Sequence, residues 1–181
     1  TAIGYSSLTA NTTGANNTSV GRRSMLDNTT GASNTALGVN ALENNTTAAN
    51  NVAVGASALD SNTTGSYNTA TGWGAGDRTT EGTENTAFGY NAGKCATTGN
   101  YNTSMGSSAG CQLTTGSNNT FLGHIAGRTG SPATVTTGSN NIVIGNNTSA
   151  NAYIKIDWTV TSDLRDKTEI EDVPVGLQFV N

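Results

Sequence analysis

Charged and aromatic side chains are scarce in this sequence of 181 residues. Asp, Glu, Lys and Arg make up 11% of it and Phe, Trp and Tyr 6%, whereas charged residues alone account for roughly 25% of an ordinary soluble domain. Large aliphatic residues are few as well, and Asn, Thr, Gly, Ser and Ala take their place. The composition therefore excludes a conventional globular core.

Net charge is also low, at a formal value of −4. A disordered chain combines weak hydrophobicity with high net charge, and this chain is instead strongly periodic, which argues against disorder. We recognise no signal peptide, transmembrane run or phosphate-binding loop within these 181 residues. The single histidine, His124, stands apart from any cluster of Cys, Asp or Glu. We expect no metal, no cofactor, no nucleic-acid partner and no membrane insertion.

One glycine recurs every seventeen residues along most of the chain. It occupies Gly4, Gly21, Gly38, Gly55, Gly72, Gly89, Gly106 and Gly123. A ninth, Gly145, follows after twenty-two residues, because five extra residues lie around positions 131–135. An insertion in one unit of a repeat indicates a surface loop. Residues 1–149 are therefore predicted to form a stack of about eight similar coils.

Each of these glycines ends a short segment that is typical of a β-strand. In most units the residue before it is large and apolar, as in Leu37, Val54, Phe88 and Leu122, and the residue two positions earlier is Thr, Val or Ile. Side chains two residues apart share one face of a strand, so we predict that both point into the interior. A second glycine, usually after Thr-Thr, predicts turns in the rest of the coil.

Asparagine begins the strand segment of nearly every unit. It occupies Asn17, Asn34, Asn51, Asn68, Asn85, Asn102, Asn119 and Asn141. Stacked coils place like residues on like, about 4.8 Å apart, so we predict a hydrogen-bonded ladder of these asparagines and a second ladder of the Thr-Thr pairs. The predicted fold class is all-β, a solenoid or β-roll of seventeen-residue coils.

The interior of that solenoid receives one large apolar residue per coil in this interpretation. One such residue is too little for the core of a single chain, so we predict that three parallel chains share the core around a common axis. A monomeric solenoid is the alternative.

Two segments resemble the head repeat of trimeric autotransporter adhesins. They are Asn-Val-Ala-Val-Gly at residues 51–55 and Asn-Ile-Val-Ile-Gly at residues 141–145. The resemblance covers about residues 1–149 and implies a trimeric, left-handed parallel β-roll, although the units of that family are typically shorter. Similar repeats occur in bacteriophage tail fibres.

The tail of the chain points to the phage proteins. Residues 150–160 are predicted to form a connecting strand, and residues 161–181 resemble the start of the intramolecular chaperone domain of phage tail spikes and fibres, the S74 peptidase family. That resemblance implies assembly of three chains followed by autoproteolysis, with Ser162 and Lys167 as the catalytic pair and cleavage before Asp163. Most of that domain is expected beyond residue 181. In the alternative interpretation, Ser162 caps a helix that ends before Pro174.

The leading hypothesis is a structural segment of a phage tail fibre or similar extracellular appendage, without enzymatic activity in the repeat region. A bacterial adhesin head and an ice-binding solenoid with stacked threonines are the alternatives. The candidate contacts for a glycan or protein on the host cell surface are Arg22, Arg23, Tyr67, Trp73 and Tyr90, which in the alternative interpretation are simply outward positions of the coil. Cys95 and Cys111 are sixteen residues apart, one short of a coil, and the sequence leaves their pairing open.

Overall fold

A computed structural model describes residues 1–129 and 133–149, and within them it contains nine short parallel strands. The strands are β1 (Ala2–Ile3), β2 (Thr18–Val20), β3 (Thr35–Leu37), β4 (Val52–Val54), β5 (Thr69–Thr71), β6 (Thr86–Phe88), β7 (Thr103–Met105), β8 (Thr120–Leu122) and β9 (Ile142–Ile144). They form one sheet in chain order. Each coil thus adds one strand, and the predicted all-β solenoid is confirmed.

The register of the strands follows the repeat. Thr35 lies opposite Val52 and Leu37 opposite Val54, seventeen residues apart. Between β8 and β9 the step is twenty-two, with Leu122 opposite Ile144, so the insertion leaves the sheet in register. Val135 is buried in the core, and its amide donates to the carbonyl of Gly127 at 3.0 Å. Its assignment to a surface loop was therefore wrong.

The direction predicted for the large strand residues is also wrong. Leu37 is 48% exposed and Phe88 55%, whereas the alanine in the middle of each of their strands is buried. The middle residues form an inward column: Ser19, Ala36, Ala53, Ala70, Ala87, Ser104, Phe121 and Val143. A seventeen-residue coil with a single three-residue strand encloses a narrow interior, which takes mainly small side chains at this position.

The core lies within the single chain. In the first half, Met25, Leu42 and Leu59 fill it beside the alanines of the inward column. These three residues have positive φ, near 50°, so the turn directs their side chains inward at some backbone cost. The interior of the solenoid is therefore filled by the chain's own side chains, and the association of three chains stays a prediction.

Glycine replaces leucine at the same position in later coils. A Cβ at Gly127 would lie 2.2 Å from the Phe121 ring, and a Cβ at Gly110 would lie 2.7 Å from it, so these glycines make room for the ring. Phe121 then packs with Leu113 and Val143 in a second cluster. The core is consequently built in two halves with different side chains.

The asparagine ladder is confirmed. Asn51 is buried, and its Oδ1 accepts from the backbone amide of Asn68 at 2.8 Å while its Nδ2 donates to the carbonyl of Gly65 at 2.9 Å. The same amide-to-Oδ1 bond joins successive asparagines from Asn17 to Asn141. Because each bond satisfies a buried backbone amide, the ladder fixes one coil on the next.

The Thr-Thr pairs also link the coils, but through the backbone. The hydroxyl of Thr46 donates to the carbonyl of Thr63 at 3.0 Å, and that of Thr63 to the carbonyl of Thr80 at 3.1 Å. The predicted threonine ladder therefore exists as hydroxyl-to-carbonyl bonds between equivalent residues.

Candidate functional site: the outward face of the sheet

All fourteen exposed large hydrophobic residues among the described residues lie on one side of the solenoid. They fall in four columns. The outward apolar column precedes the repeating glycine and contains Ile3, Val20, Leu37, Val54, Thr71, Phe88, Met105, Leu122 and Ile144. The threonine column contains Thr18, Thr35, Val52, Thr69, Thr86, Thr103, Thr120 and Ile142. We call these two columns together the outward face.

Two further columns border the outward face. The corner column follows the glycine and contains Tyr5, Arg22, Val39, Ala56, Trp73, Tyr90, Ser107 and His124. On the other edge, the residues before the asparagine ladder include Tyr67 and Tyr101, which are both exposed. Aromatic residues thus border both edges of an apolar sheet surface, and no aromatic residue is exposed elsewhere in the described residues.

The outward face is continuous because the coils stack in register. Leu37, Phe88 and Leu122 are each close to half exposed or more, and Val54 between them is half-buried. Nine strands about 4.8 Å apart extend this apolar surface over roughly 40 Å. Single exposed hydrophobic residues are normal on proteins, but a contiguous row of this kind marks an interaction surface.

The corner column carries an aromatic pair. Trp73 and Tyr90 stack with ring centroids 5.2 Å apart and an interplanar angle of 14°. The Lys94 ammonium lies 5.4 Å from the centroid of the Trp73 ring and 3.5 Å from an Asp77 carboxylate oxygen. The cation and the rings hold one another in place, so the pair is an ordered exposed surface. Their predicted exposure is confirmed.

A charged row lies in the turns that follow the corner column. Arg23 pairs with Glu43, and Lys94 pairs with Asp77. Asp60 lies between the two acids and accepts from Asn44 Nδ2 at 3.1 Å. Burial, together with the charges of Glu43 and Asp77, raises the pKa of Asp60 to about 6, although Arg23 and the hydrogen bond from Asn44 act in the opposite direction. Asp60 is therefore the acid whose ionisation opposes folding.

We expect Asp60→Asn to flatten the dependence of thermal stability on pH. Because the pKa of Asp60 is raised from 3.8 to about 6 on folding, the folded chain binds this proton more tightly, and stability is lost as pH rises through that interval. Thermal unfolding followed by circular dichroism from about pH 4 to about pH 7 measures the slope. The variant should unfold at a higher temperature than the parent at neutral pH.

Asp77→Asn is the matched control for this prediction. Asp77 lies one coil further along the same row, but its carboxylate faces the Lys94 ammonium. Its replacement removes a favourable charge pair and also one of the two acid charges that raise the pKa of Asp60, so stability at neutral pH should not rise above the parent's and the pH slope should stay steeper than in Asp60→Asn. An Asp60→Asn variant with the same pH slope as the parent would contradict the assignment.

The residues predicted to define the repeat fall into three groups. Asn34, Asn51, Asn85 and Asn119 belong to the buried ladder. Leu37, Val54, Phe88 and Leu122 belong to the outward face. Gly38, Gly55, Gly89 and Gly123 form the corner that follows the outward apolar column, all with positive φ. The candidate processing residues Ser162, Asp163 and Lys167, the connecting strand and the chaperone segment lie outside the described residues.

Sequence reasoning missed the corner column and the Lys94 contact with Trp73, although the fixed distance of Trp73 and Tyr90 from the glycine was a visible signal. Within residues 1–129 and 133–149, no three His, Cys, Asp or Glu side chains come together as metal ligands. Across the same residues, no helix has the length and apolar character needed to cross a membrane.

The fold and the outward face define a parallel β-solenoid with one unpartnered apolar side. No protein-family model, no curated protein and no solved structure matches the chain.

Proposed function

We propose that this chain is a structural fibre segment whose copies associate as a parallel homotrimer through their outward faces. The observation that carries the proposal is the gathering of the exposed large hydrophobic residues on and beside one sheet surface. The rest of the coil carries the charged row, which begins beside the corner column, and the Thr-Thr turns. A chain with one apolar side and one polar side buries the apolar side by self-association.

Parallel association fits the geometry of the outward face. Its columns run the length of the sheet with one residue per coil, so two or three copies in the same direction bring equivalent columns together. Three chains around an axis would enclose a closed apolar centre between their outward apolar columns. The resemblance to trimeric adhesin heads and phage tail fibres supports the number three.

Mass in solution tests this proposal. Sedimentation equilibrium at micromolar concentration should give three times the chain mass of 18.3 kDa. A folded chain that sediments as a monomer would contradict it.

The biological setting we propose is a phage tail fibre or a similar extracellular appendage that takes part in host attachment. Support comes from the tail, where residues 161–170 resemble the start of a self-releasing assembly chaperone. A bacterial trimeric adhesin head is the alternative, and it would be followed by a coiled-coil stalk and a membrane anchor. The downstream part of the reading frame distinguishes them.

We expect autoproteolysis when the chain is expressed with the complete downstream chaperone. The Ser162 hydroxyl is a weak nucleophile until a base accepts its proton, and a desolvated Lys167 amine supplies such a base. The product should end at Ser162, and Ser162→Ala or Lys167→Ala should leave the chain whole in mass spectrometry. Thr161→Ala is the control that should still be cleaved. Cleavage that persists in both Ser162→Ala and Lys167→Ala would contradict the proposed catalytic pair.

A glycan on the host surface is the partner we propose for the aromatic pair in the corner column. Exposed aromatic rings stack on the apolar faces of sugars, and Lys94 and Asp77 beside Trp73 supply a donor and an acceptor. Binding to a glycan array by the trimer, compared with Trp73→Ala, tests this contact. Equal binding by both would place the receptor contact elsewhere.

Ice binding is the second candidate function, and the threonine column favours it. Thr18, Thr35, Thr69 and Thr86 are exposed at a regular spacing on a sheet surface. The neighbouring outward apolar column varies from Val to Phe, so the surface lacks the uniformity of a repeated ice plane. A monomer that shows thermal hysteresis would establish this function over the fibre proposal.

A further inference from the structure

Cys95 and Cys111 occupy equivalent places to residues that are paired in the preceding coils. Five pairs of residues that are sixteen apart are joined there by a backbone hydrogen bond between neighbouring coils. They are Ala10 with Leu26, Asp27 with Glu43, Asn44 with Asp60, Ser61 with Asp77, and Arg78 with Lys94, at 2.9 to 3.1 Å. Cys95 and Cys111 are the next pair by position, but they do not form the backbone hydrogen bond that joins the five earlier pairs. A spacing one short of a coil is therefore the spacing of direct neighbours here.

Side chains at such a pair reach each other. The Nδ2 of Asn44 donates to Oδ1 of Asp60 at 3.1 Å, so the two side chains leave the backbone on the same side. Neighbouring coils are about 4.8 Å apart, within the 4.4 to 6.8 Å range of Cα separations in disulfides. Both cysteines are free thiols and half-buried. The spacing of the coils and the direction of the side chains at this pair of positions are thus both suitable for a covalent bond.

We propose that Cys95 and Cys111 form a disulfide that joins two neighbouring coils of the same chain. Two protein thiols react with one molecule of a low-molecular-weight disulfide such as glutathione disulfide. A thiolate of one cysteine attacks the reagent and releases the first glutathione thiol, and the second cysteine attacks the resulting mixed disulfide and releases the other. The two cysteines lose two electrons and two protons, which the reagent takes up.

The bond would lie where the core is least filled. The first core cluster ends at Ala92 and the second begins at Ala109, in the two coils that carry the cysteines. A small cavity lies beside the later coils of the first cluster and is lined by Leu59, Gly76, Gly93 and Ala96. Because few large side chains hold these coils together, a covalent bond between them has more effect here than in the first half.

This inference does not depend on the proposed trimer. The cysteines lie in the turns with the charged row, away from the outward face, so they stay accessible in a trimer formed through that face. Burial raises the pKa of Cys111, an effect that Arg128 partly opposes, so oxidation should be faster in mildly alkaline buffer.

The test uses the full chain, oxidised with glutathione disulfide and digested with trypsin without reduction. Trypsin cuts after Lys94 and Arg128, so both cysteines fall in one peptide, residues 95–128. We expect this peptide to lose the mass of two hydrogen atoms and to resist alkylation. The oxidised chain should also unfold about 5 to 10 °C above the reduced one, as a bond closing a loop of this size suggests.

Ser108→Cys combined with Cys111→Ser is the matched control, because it keeps two thiols but moves one to another position of the same coil. It should accept glutathione adducts without an internal bond. Glutathione adducts on the parent, covalent dimers linked through two copies of peptide 95–128, or an unchanged unfolding temperature on oxidation would each overturn the proposal. These readouts are the same whether the chain is a trimer or a monomer. The disulfide proposal and the trimer proposal can therefore fail independently of each other.

Discussion

Replacing Phe88 and Leu122 with glutamate is expected to convert the trimer into folded monomers. Both side chains are about half exposed in the single chain, so the free monomer loses little when they change. In the proposed trimer the same positions would lie against neighbouring chains, and the double variant would place six carboxylates in the apolar centre. Each large apolar side chain contributes about 1.5 to 3 kcal/mol when it is fully buried, and a buried unpaired charge costs more.

Sedimentation equilibrium and circular dichroism together measure this effect. The variant should sediment at the mass of one chain and keep the β signal of the parent, with a lower unfolding temperature because assembly no longer stabilises the fold. Association should weaken by several orders of magnitude, as a loss on the order of 10 kcal/mol per trimer implies.

Thr64→Glu is the control. Thr64 is exposed on the opposite side, in a position that Glu81 occupies one coil later, so the fold accepts glutamate there. This variant should remain trimeric. A trimer that survives the double substitution in the outward apolar column would show that another surface holds the chains together.

The sequence was sufficient to predict the coil, the strand and the ladder. A glycine every seventeen residues fixed the register, since only a stack of identical coils repeats both Gly55 and Asn51 at that interval. The asparagine bonds followed, because a buried amide side chain next to a strand edge finds its partner one coil away.

The same alternating pattern could not tell the inner face of the strand from the outer one. It places Thr35 and Leu37 together on one face, but hydrophobicity favours the interior for Leu37, and the structure places Ala36 there. The deciding factor is the width of the interior, which depends on how the turns fold. Those turns contain Leu42 and Asn40 with positive φ, a conformation indicated only by the glycines at the equivalent positions of later coils, Gly76 and Gly74 among them.

The outward direction of the large strand side chains strengthens the case for association between chains. With the large residues inside, a thin core would have been the only argument for three chains. With them outside, each chain has a core of its own and also an apolar surface without a partner. The trimer is therefore argued from an exposed surface, which mutation can reach without damaging the fold.

Gly55→Ala is expected to destabilise the chain by about 4 kcal/mol or more, among the largest effects of a single methyl group. Gly55 has φ of 131°, where a side chain is strained, and a Cβ there would lie 2.6 Å from the carbonyl oxygen of Gly72 in the next coil. Both obstacles are backbone, so neither yields by a rotamer change. The unfolding temperature, followed by circular dichroism, should fall by on the order of 10 °C.

Gly74→Asn separates the strain of a positive φ from the clash with the backbone of the next coil. Gly74 also has positive φ, at 61°, but Asn40 and Asn91 occupy the equivalent position with φ of 59° and 52°. A Cβ at Gly74 would meet the Oδ1 of Asn91, the end of a side chain that can move. This variant should therefore stay within about 1 kcal/mol of the parent.

A Gly55→Ala chain that unfolds at the parent's temperature would mean that neighbouring coils do not approach at the glycine corner. The outward apolar column and the corner column flank that glycine, so its close contact sets the spacing of both. The same contact that excludes a methyl group at Gly55 therefore aligns Trp73 with Tyr90 and Leu37 with Val54, and it makes the outward face continuous from coil to coil.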